Sequence, residues 1–256
     1  MEPPPFEMEL PTPRVEPSPR WVRVRTGDVW VADSRRALLL TWYGPGMLPT
    51  YCFPAEDVRI DLVRPSSKPG TSPLVVEHDL LVGDQVLERA AQLFAEFPPP
   101  LSDLEGHWSF PWDGRVSWFE EALEIRVHAR DPSKRVDVVP SERHVQVQIA
   151  GERVADSQTP HALFETSLPT RWYLPVDDDE WEHLEPSDTV SQCPYKGTAR
   201  YWSVRAGGEL HRDVAWSYPD PVVECPRIAD LVCFFNEKVD LAIDGVAQPR
   251  PVTPWS

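Results

Sequence analysis

The chain repeats itself. Val31-Ala32-Asp33-Ser34 returns as Val154-Ala155-Asp156-Ser157, and each is preceded by an alternating segment, Val22-Arg23-Val24-Arg25 and Val145-Gln146-Val147-Gln148. The correspondence continues downstream: Tyr51-Cys52-Phe53-Pro54 answers Trp172-Tyr173-Leu174-Pro175, Asp57 answers Asp178, and Pro65-Ser66 answers Pro186-Ser187. Leu104 to Val116 then answers Ile228 to Val239. Self-similarity over such a length means that one structural unit is built twice. The expected organisation is a Pro- and Glu-rich disordered tail over 1–20, a first repeat over 21–138, a second over 139–246 and a short tail over 247–256.

Each copy starts as sheet. Period-two alternation in Trp21 to Arg25, Val29 to Val31 and Val145 to Ile149, bounded by Gly27 and Gly151, predicts antiparallel hairpins with one wet face. Gly207-Gly208 reads as another hairpin turn. A helical period is read later: Ile228, Leu231, Val232 and Phe235 follow Pro226, and Val86, Ala90, Phe94 and Phe97 precede Pro98-Pro99-Pro100. The first predicts a short helix closing each repeat; the second predicts a helix over 84–97, although its counterpart, 208–218, reads as strand.

Composition narrows the function classes. The 256 residues carry 41 acidic and 25 basic side chains, a formal charge of −16. Affinity for nucleic acid comes mainly from Lys and Arg displacing counterions, so no nucleic-acid partner is expected. No segment approaches the roughly 20 apolar residues of a membrane span, and MEPPPFEMEL has neither a basic nor an apolar leader region. A cytoplasmic address without membrane partner is expected. Cys52, Cys193, Cys225 and Cys233 fit neither a disulfide framework nor a C-x-x-C zinc knuckle, so no metal or cofactor is expected.

The copies differ at one conspicuous place. The second carries Cys193-Pro194-Tyr195-Lys196-Gly197 leading into Tyr201-Trp202, and later Trp216-Ser217-Tyr218; the first has Ser67-Lys68-Pro69-Gly70-Thr71-Ser72-Pro73 and Gln92-Leu93-Phe94 there. The second copy is therefore the candidate site, and the first reads as a scaffold or a surface for a protein partner or self-association.

These elements, with Phe53-Pro54-x-x-Asp57, Ala215-Trp216-Ser217-Tyr218-Pro219-Asp220-Pro221 and the joining segment from Trp118-Phe119-Glu120-Glu121 to His128-x-Arg130-Asp131-Pro132-x-x-Arg135-Val136-Asp137, resemble a tandem member of domain-of-unknown-function family 427, which also carries a nucleotidyltransferase-like label. The resemblance covers about Trp21 to Gly245. It implies a mainly β (α+β) protein of two tandem domains similar to the Mss4-like or β-tent fold, in which small antiparallel sheets lean together over a groove. Nucleotidyl transfer needs carboxylates holding a divalent metal beside a Gly-rich turn. Asp177, Asp178 and Asp179 precede Gly207-Gly208, whereas such a fold places the glycines first, so the label is set aside and the acidic run reads as a solvated loop.

Within the candidate site, Lys196 is assigned as a charge contact for a polar or anionic ligand, with Gly197 admitting close approach; the alternative is a surface lysine paired with a carboxylate such as Asp188. Tyr201, Trp202, Trp216 and Tyr218 would wall a pocket by one of their pairs or simply fill a small core, and Tyr195 is assigned as a further ligand contact. Cys193 would act as a nucleophile if Lys196 and a base among His161, His183, His211 and His128 assist it, or else is a small buried hydrophobe. His128 and Arg130, with Asp131 and Arg135, either reach that groove or form a salt-bridge network between the repeats. Ligand binding, thiol-dependent catalysis and protein interaction are thus the three functional expectations.

Overall fold

A computed structural model describes residues 4–256 apart from Pro45, Gly46, Pro69, Thr71, Pro73, Pro98, Asp178, Asp179 and Trp181. Asp178 and Asp179 of the acidic run and part of the Ser67–Pro73 segment thus lie outside the described residues; Asp177 is exposed and exchanges hydrogen bonds with Glu180. The chain divides into two compact units, one of Pro11–Asp131 and one of Pro132–Ser256 together with the segment ending at Leu10. Among the described residues no helix is long and apolar enough to cross a membrane.

The protein is mainly β, and each unit has eleven strands among the described residues. In the first they are β1 (Arg14–Pro17), β2 (Val22–Thr26), β3 (Val29–Ser34), β4 (Leu38–Thr41), β5 (Thr50–Cys52), β6 (Val63–Pro65), β7 (Val75–Val82), β8 (Gln85–Phe94), β9 (Trp108–Ser109), β10 (Ser117–Glu120) and β11 (Leu123–Ile125). In the second they are β12 (Val136–Pro140), β13 (Val145–Ile149), β14 (Glu152–Ser157), β15 (His161–Glu165), β16 (Arg171–Leu174), β17 (Leu184–Cys193), β18 (Gly197–Ala206), β19 (Glu209–Ser217), β20 (Val232–Phe234), β21 (Asp240–Ile243) and β22 (Val246–Ala247).

The second unit has a seven-stranded antiparallel sheet ordered β12-β15-β16-β20-β19-β18-β17 and a four-stranded sheet ordered β14-β13-β21-β22. The first follows the same plan. Its β1-β4-β5 and β6-β7-β8-β9 sheets meet where Phe53 and Trp108 exchange backbone hydrogen bonds of 2.7 and 2.8 Å, and its small sheet is β11-β10-β2-β3. Strand for strand, the duplication read in the sequence is one topology built twice.

Alternation explains the layering. Val145, Val147 and Ile149 point from β13 into a core completed by Trp172, Leu174, Ala215, Val232 and Phe234 of the large sheet. Val22 and Val24 do the same in the first unit against Tyr51, Phe53, Trp108 and Trp118. Each fully buried valine of this kind contributes about 1.5–3 kcal/mol relative to exposure. The Asp-Ser elements serve turns: Ser34 accepts from Arg36 N–H at 3.1 Å and donates to Asp57, and Ser157 accepts from Thr159 N–H at 3.2 Å.

Three expectations are corrected. The helix expected over 84–97 is the strand β8, paired with β7 through the Gly83-Asp84 turn. Val86, Ala90 and Phe94 lie four apart, a spacing that a strand's period of two satisfies as well as a helix, and Phe97 follows the strand; His78 faces Ala91 and Leu80 faces Leu87, so Glu88, Arg89 and Ala90 stand against Asp79 alone in a bulge. The closing helix is only a single 3-10 turn, Pro226–Ile228, with Ser102–Leu104 in the first copy. Asp230, at φ 59°, leaves the helical region, and Val232 begins a strand. Nor is all of 1–20 a tail: Arg14–Pro17 pairs with β4, and Phe6 and Met8 exchange backbone hydrogen bonds with Val252 at 2.8 and 3.1 Å.

Candidate functional site

The face of the second large sheet turned away from the sandwich core gathers most of the singled-out residues. Strand parity puts Leu163 and Glu165 of β15, Arg171 and Tyr173 of β16, Cys233 of β20, Trp216 of β19 and Tyr201 of β18 on it, because Leu163 pairs with Arg171, Tyr173 with Cys233, and Trp216 with both Cys233 and Tyr201. Tyr218, Cys225, Ile228 and Phe235 close over it, and Cys193 packs at its margin. Trp202, the neighbour of Tyr201, turns to the sandwich core as alternation requires.

Lys196 reaches this face from the β17–β18 turn, where Cys193 and Gly197 are paired and Lys196 N–H points at the Cys193 carbonyl. Its ammonium contacts Glu165, and Lys134 approaches the other carboxylate oxygen at 3.2 Å. The side chains are 11, 13 and 3% exposed for Lys196, Lys134 and Glu165. Lys196 is thus paired with a carboxylate, but the pair is buried and its partner is Glu165, not the surface pair with a residue such as Asp188. Burial opposes the Glu165 carboxylate, but the two ammonium groups outweigh it and hold its pKa below the ordinary value. Burial likewise opposes charge on Lys196, and Glu165 more than offsets it, so its pKa is raised and the lysine stays charged.

A second ion pair lies on the same face. Arg171 donates two hydrogen bonds of 2.7 Å to Glu237, which also accepts from Thr253 Oγ1 at 2.7 Å. The guanidinium lies 5.5 Å from the Trp216 ring centroid and 6.0 Å from that of Phe235. Trp216 packs on Phe235 with centroids 4.5 Å apart, donates to Tyr173 Oη at 3.0 Å, and Tyr201 stacks on Phe235 from 6.3 Å. Trp255, in the expected C-terminal tail, sits 5.9 Å from the same guanidinium.

The cysteines separate by environment. Cys52, Cys225 and Cys233 are buried and Cys193 is partly exposed. Burial pushes the Cys225 thiol up to about 11 and the Cys233 thiol up to about 12. Burial also raises the Tyr173 and Tyr218 phenols, which remain protonated. Of the expected bases, His161 shares the Glu165 face and burial lowers its pKa, which keeps it neutral. His183 and His211 meet the carbonyls of Arg205 and Ala206, both at 3.3 Å.

Gly197 serves a different purpose from the one expected. At φ +110° it lies against the chain's own backbone: a Cβ there would stand 3.1 Å from the Asp220 carbonyl oxygen, and Val222 N–H donates to the Lys196 carbonyl at 3.0 Å. The space is taken by Asp220–Val222 and not left to a ligand. Tyr195 sits beside Lys134, whose ammonium is 6.0 Å from its ring centroid. His128 and Arg130 belong to the first unit, where Asp131 pairs with Arg14.

Glu165, Lys134, Arg171 and Glu237 were not singled out by sequence. A carboxylate two residues beyond buried Leu163, on a strand of period two, was the available signal for Glu165.

A search of curated proteins found no match. The model of a family described as a domain of unknown function, DUF427, matches residues 14–121 and again 137–245. With most of its length covered by two tandem copies of that domain, the chain belongs to the DUF427 family.

Proposed function

We propose that the second repeat binds a small polar or anionic molecule at the face carrying Lys196, with Tyr201, Trp216 and Tyr218 as its aromatic wall. The observation that carries this reading is the convergence of two ammonium groups on the almost fully buried Glu165 carboxylate, beside that wall. Holding such charges away from water is costly unless they are paired, and a purely structural role is served more cheaply by apolar packing. The first repeat does the latter: register places Trp42, Cys52 and Phe94 where the second has Glu165, Tyr173 and Tyr218, and they pack with Leu40 and Leu104 as an apolar cluster. The two sheets of each repeat are compatible with a β-tent-type arrangement, whose groove would supply the ligand surface.

In this reading Lys196 releases one arm of its pair to the incoming anion while Lys134 retains Glu165. The test is a thermal-shift screen of carboxylates and phosphate monoesters on the full chain and on Lys196→Ala. A ligand that stabilises the parent and not the variant is expected. Equal stabilisation of both would remove Lys196 from the assignment.

The thiol-dependent alternative is favoured by one feature, the partial exposure of Cys193 next to the Lys196 turn. It requires an iodoacetamide reaction rate above that of free cysteine at neutral pH, and a rate at or below that value eliminates it.

A further inference from the structure

The two repeats differ most in shape where three rings of the second have no counterpart in the first. Tyr201 pairs with Trp216 and Trp216 with Cys233; in the first repeat Glu77 pairs with Gln92 and Gln92 with Ser109. Glu77 and Gln92 therefore stand where Tyr201 and Trp216 stand, and Pro111, two residues after Ser109, stands where Phe235 follows Cys233. The aromatic cluster of the second repeat becomes an open groove of about 680 Å³ in the first, lined in part by Glu77, Gln92 and Pro111. That volume lies within the roughly 300–1,000 Å³ of small-molecule sites.

The groove is framed by charges of both signs. Arg89, on the β8 bulge at φ 54°, donates its backbone N–H to Asp79 at 2.9 Å and its guanidinium to the buried carboxylate of Glu77, with one contact of 2.8 Å. A non-glycine residue at positive φ persists where its surroundings hold it there. The corresponding bulge residue of the second repeat is Asp213, at φ 50°, so the same backbone device presents a cation in one copy and an anion in the other. At the rim Lys68 pairs with Glu88, both more than half exposed, and Arg115 bonds Asp113 at 2.5 Å and the Glu88 carbonyl.

We propose that this groove of the first repeat is a binding site for a small zwitterion of the α-amino-acid type, whose carboxylate pairs with Lys68 and whose ammonium pairs with Glu88. The Lys68–Glu88 pair is exposed and contributes little, so opening it costs little. An anion alone would meet Lys68 beside the like charge of Glu88, and a cation alone would meet Glu88 beside the like charge of Lys68. A zwitterion replaces both halves of the opened pair. Arg89 and Glu77 satisfy each other and shape the inner wall, while Val86, Leu87 and Pro111 give its apolar contacts. This inference concerns the first repeat and stands apart from the reading of the second.

The experiment is isothermal titration of the full chain with L-alanine, L-leucine and L-glutamine, alongside propionate and propylamine, which carry one charge each. Binding of at least one amino acid is expected, with propionate and propylamine about tenfold weaker or undetected. Lys68→Ala and Glu88→Gln, both surface substitutions, should each weaken it by about tenfold or more. Gln92→Trp, which restores the residue type of the second repeat, should abolish it. Absence of binding by all three amino acids, equal binding of propionate, or binding that survives both Lys68→Ala and Glu88→Gln would overturn the proposal.

Discussion

Arg171 and Glu237 grip each other through two parallel hydrogen bonds of 2.7 Å while their side chains are only 7 and 0% exposed. A planar fork meeting a carboxylate in this way gives strong, directional bonding. Breaking it from one side leaves a charge with neither partner nor water. Arg171→Leu or Glu237→Leu should each cost about 3–5 kcal/mol in urea unfolding. The double variant should lose less than the sum of the two, because no stranded charge remains.

Stability should fall on both sides of a neutral plateau. Glu165 and Glu237 have folded pKa values below the ordinary 4.5, because their cationic partners outweigh burial. The unfolded chain therefore takes up protons first as pH drops. Their contribution is full above about pH 4.5 and is lost as pH falls through the lower folded values. Lys196 is raised above 10.5, so its contribution is full below that pH and is lost as pH rises through the folded value. Urea midpoints measured from pH 3 to 11 would trace this, and a midpoint insensitive to acid would contradict the carboxylate assignments.

Cys193 should be the one thiol modified in the native chain. The other three are buried, and burial raises their pKa values. Brief iodoacetamide treatment at pH 8 followed by peptide mass spectrometry should find label on Cys193 alone, with all four labelled in urea.

Gly197→Ala should destabilise by about 1–3 kcal/mol, since it combines a left-handed backbone with a Cβ only 3.1 Å from a carbonyl oxygen. Gly208→Ala, at φ +78° with nothing within 4 Å, incurs the backbone strain without the collision and should cost less. Thermal unfolding of the two variants side by side separates the contributions.

Much of the architecture was legible because it rests on local periodicity. Val22 and Val24, like Val145 and Val147, alternate in plain view, and the recurrence of Ala-Asp-Ser located both sheets. Two elements misled for a physical reason: Val86, Ala90 and Phe94 are four apart, which period two satisfies as well as a helix, and a spacing such as Ile228, Leu231, Val232 and Phe235 registers burial without revealing which backbone delivers it. The polar cluster was half legible. Lys196 and Tyr218 stood out by composition, but Glu165 is 31 positions from Lys196, and only strand register brings them together. The replacement of Trp216 by Gln92 was also visible, yet loss of a ring in sequence reads as loss of a site, whereas in three dimensions it opens space.

The backbone exchange between Phe53 and Trp108 carries a mechanical consequence. In the second repeat β16, β20 and β19 form one hydrogen-bonded ladder, so a load on one edge of the large sheet is passed across it. In the first repeat, β1-β4-β5 and β6-β7-β8-β9 are joined among the described residues by that one backbone pair, with the Thr50 and Ser109 hydroxyls 3.0 Å apart beside it. It acts as a seam, the line along which the sheet can part first without unravelling either half. Gln92 lies one strand from that seam, paired with Ser109 next to Trp108. The wall of the first repeat's groove therefore stands beside a join of a single backbone-paired couple, where the second repeat has the two pairs Tyr173 with Cys233 and Leu174 with Val232.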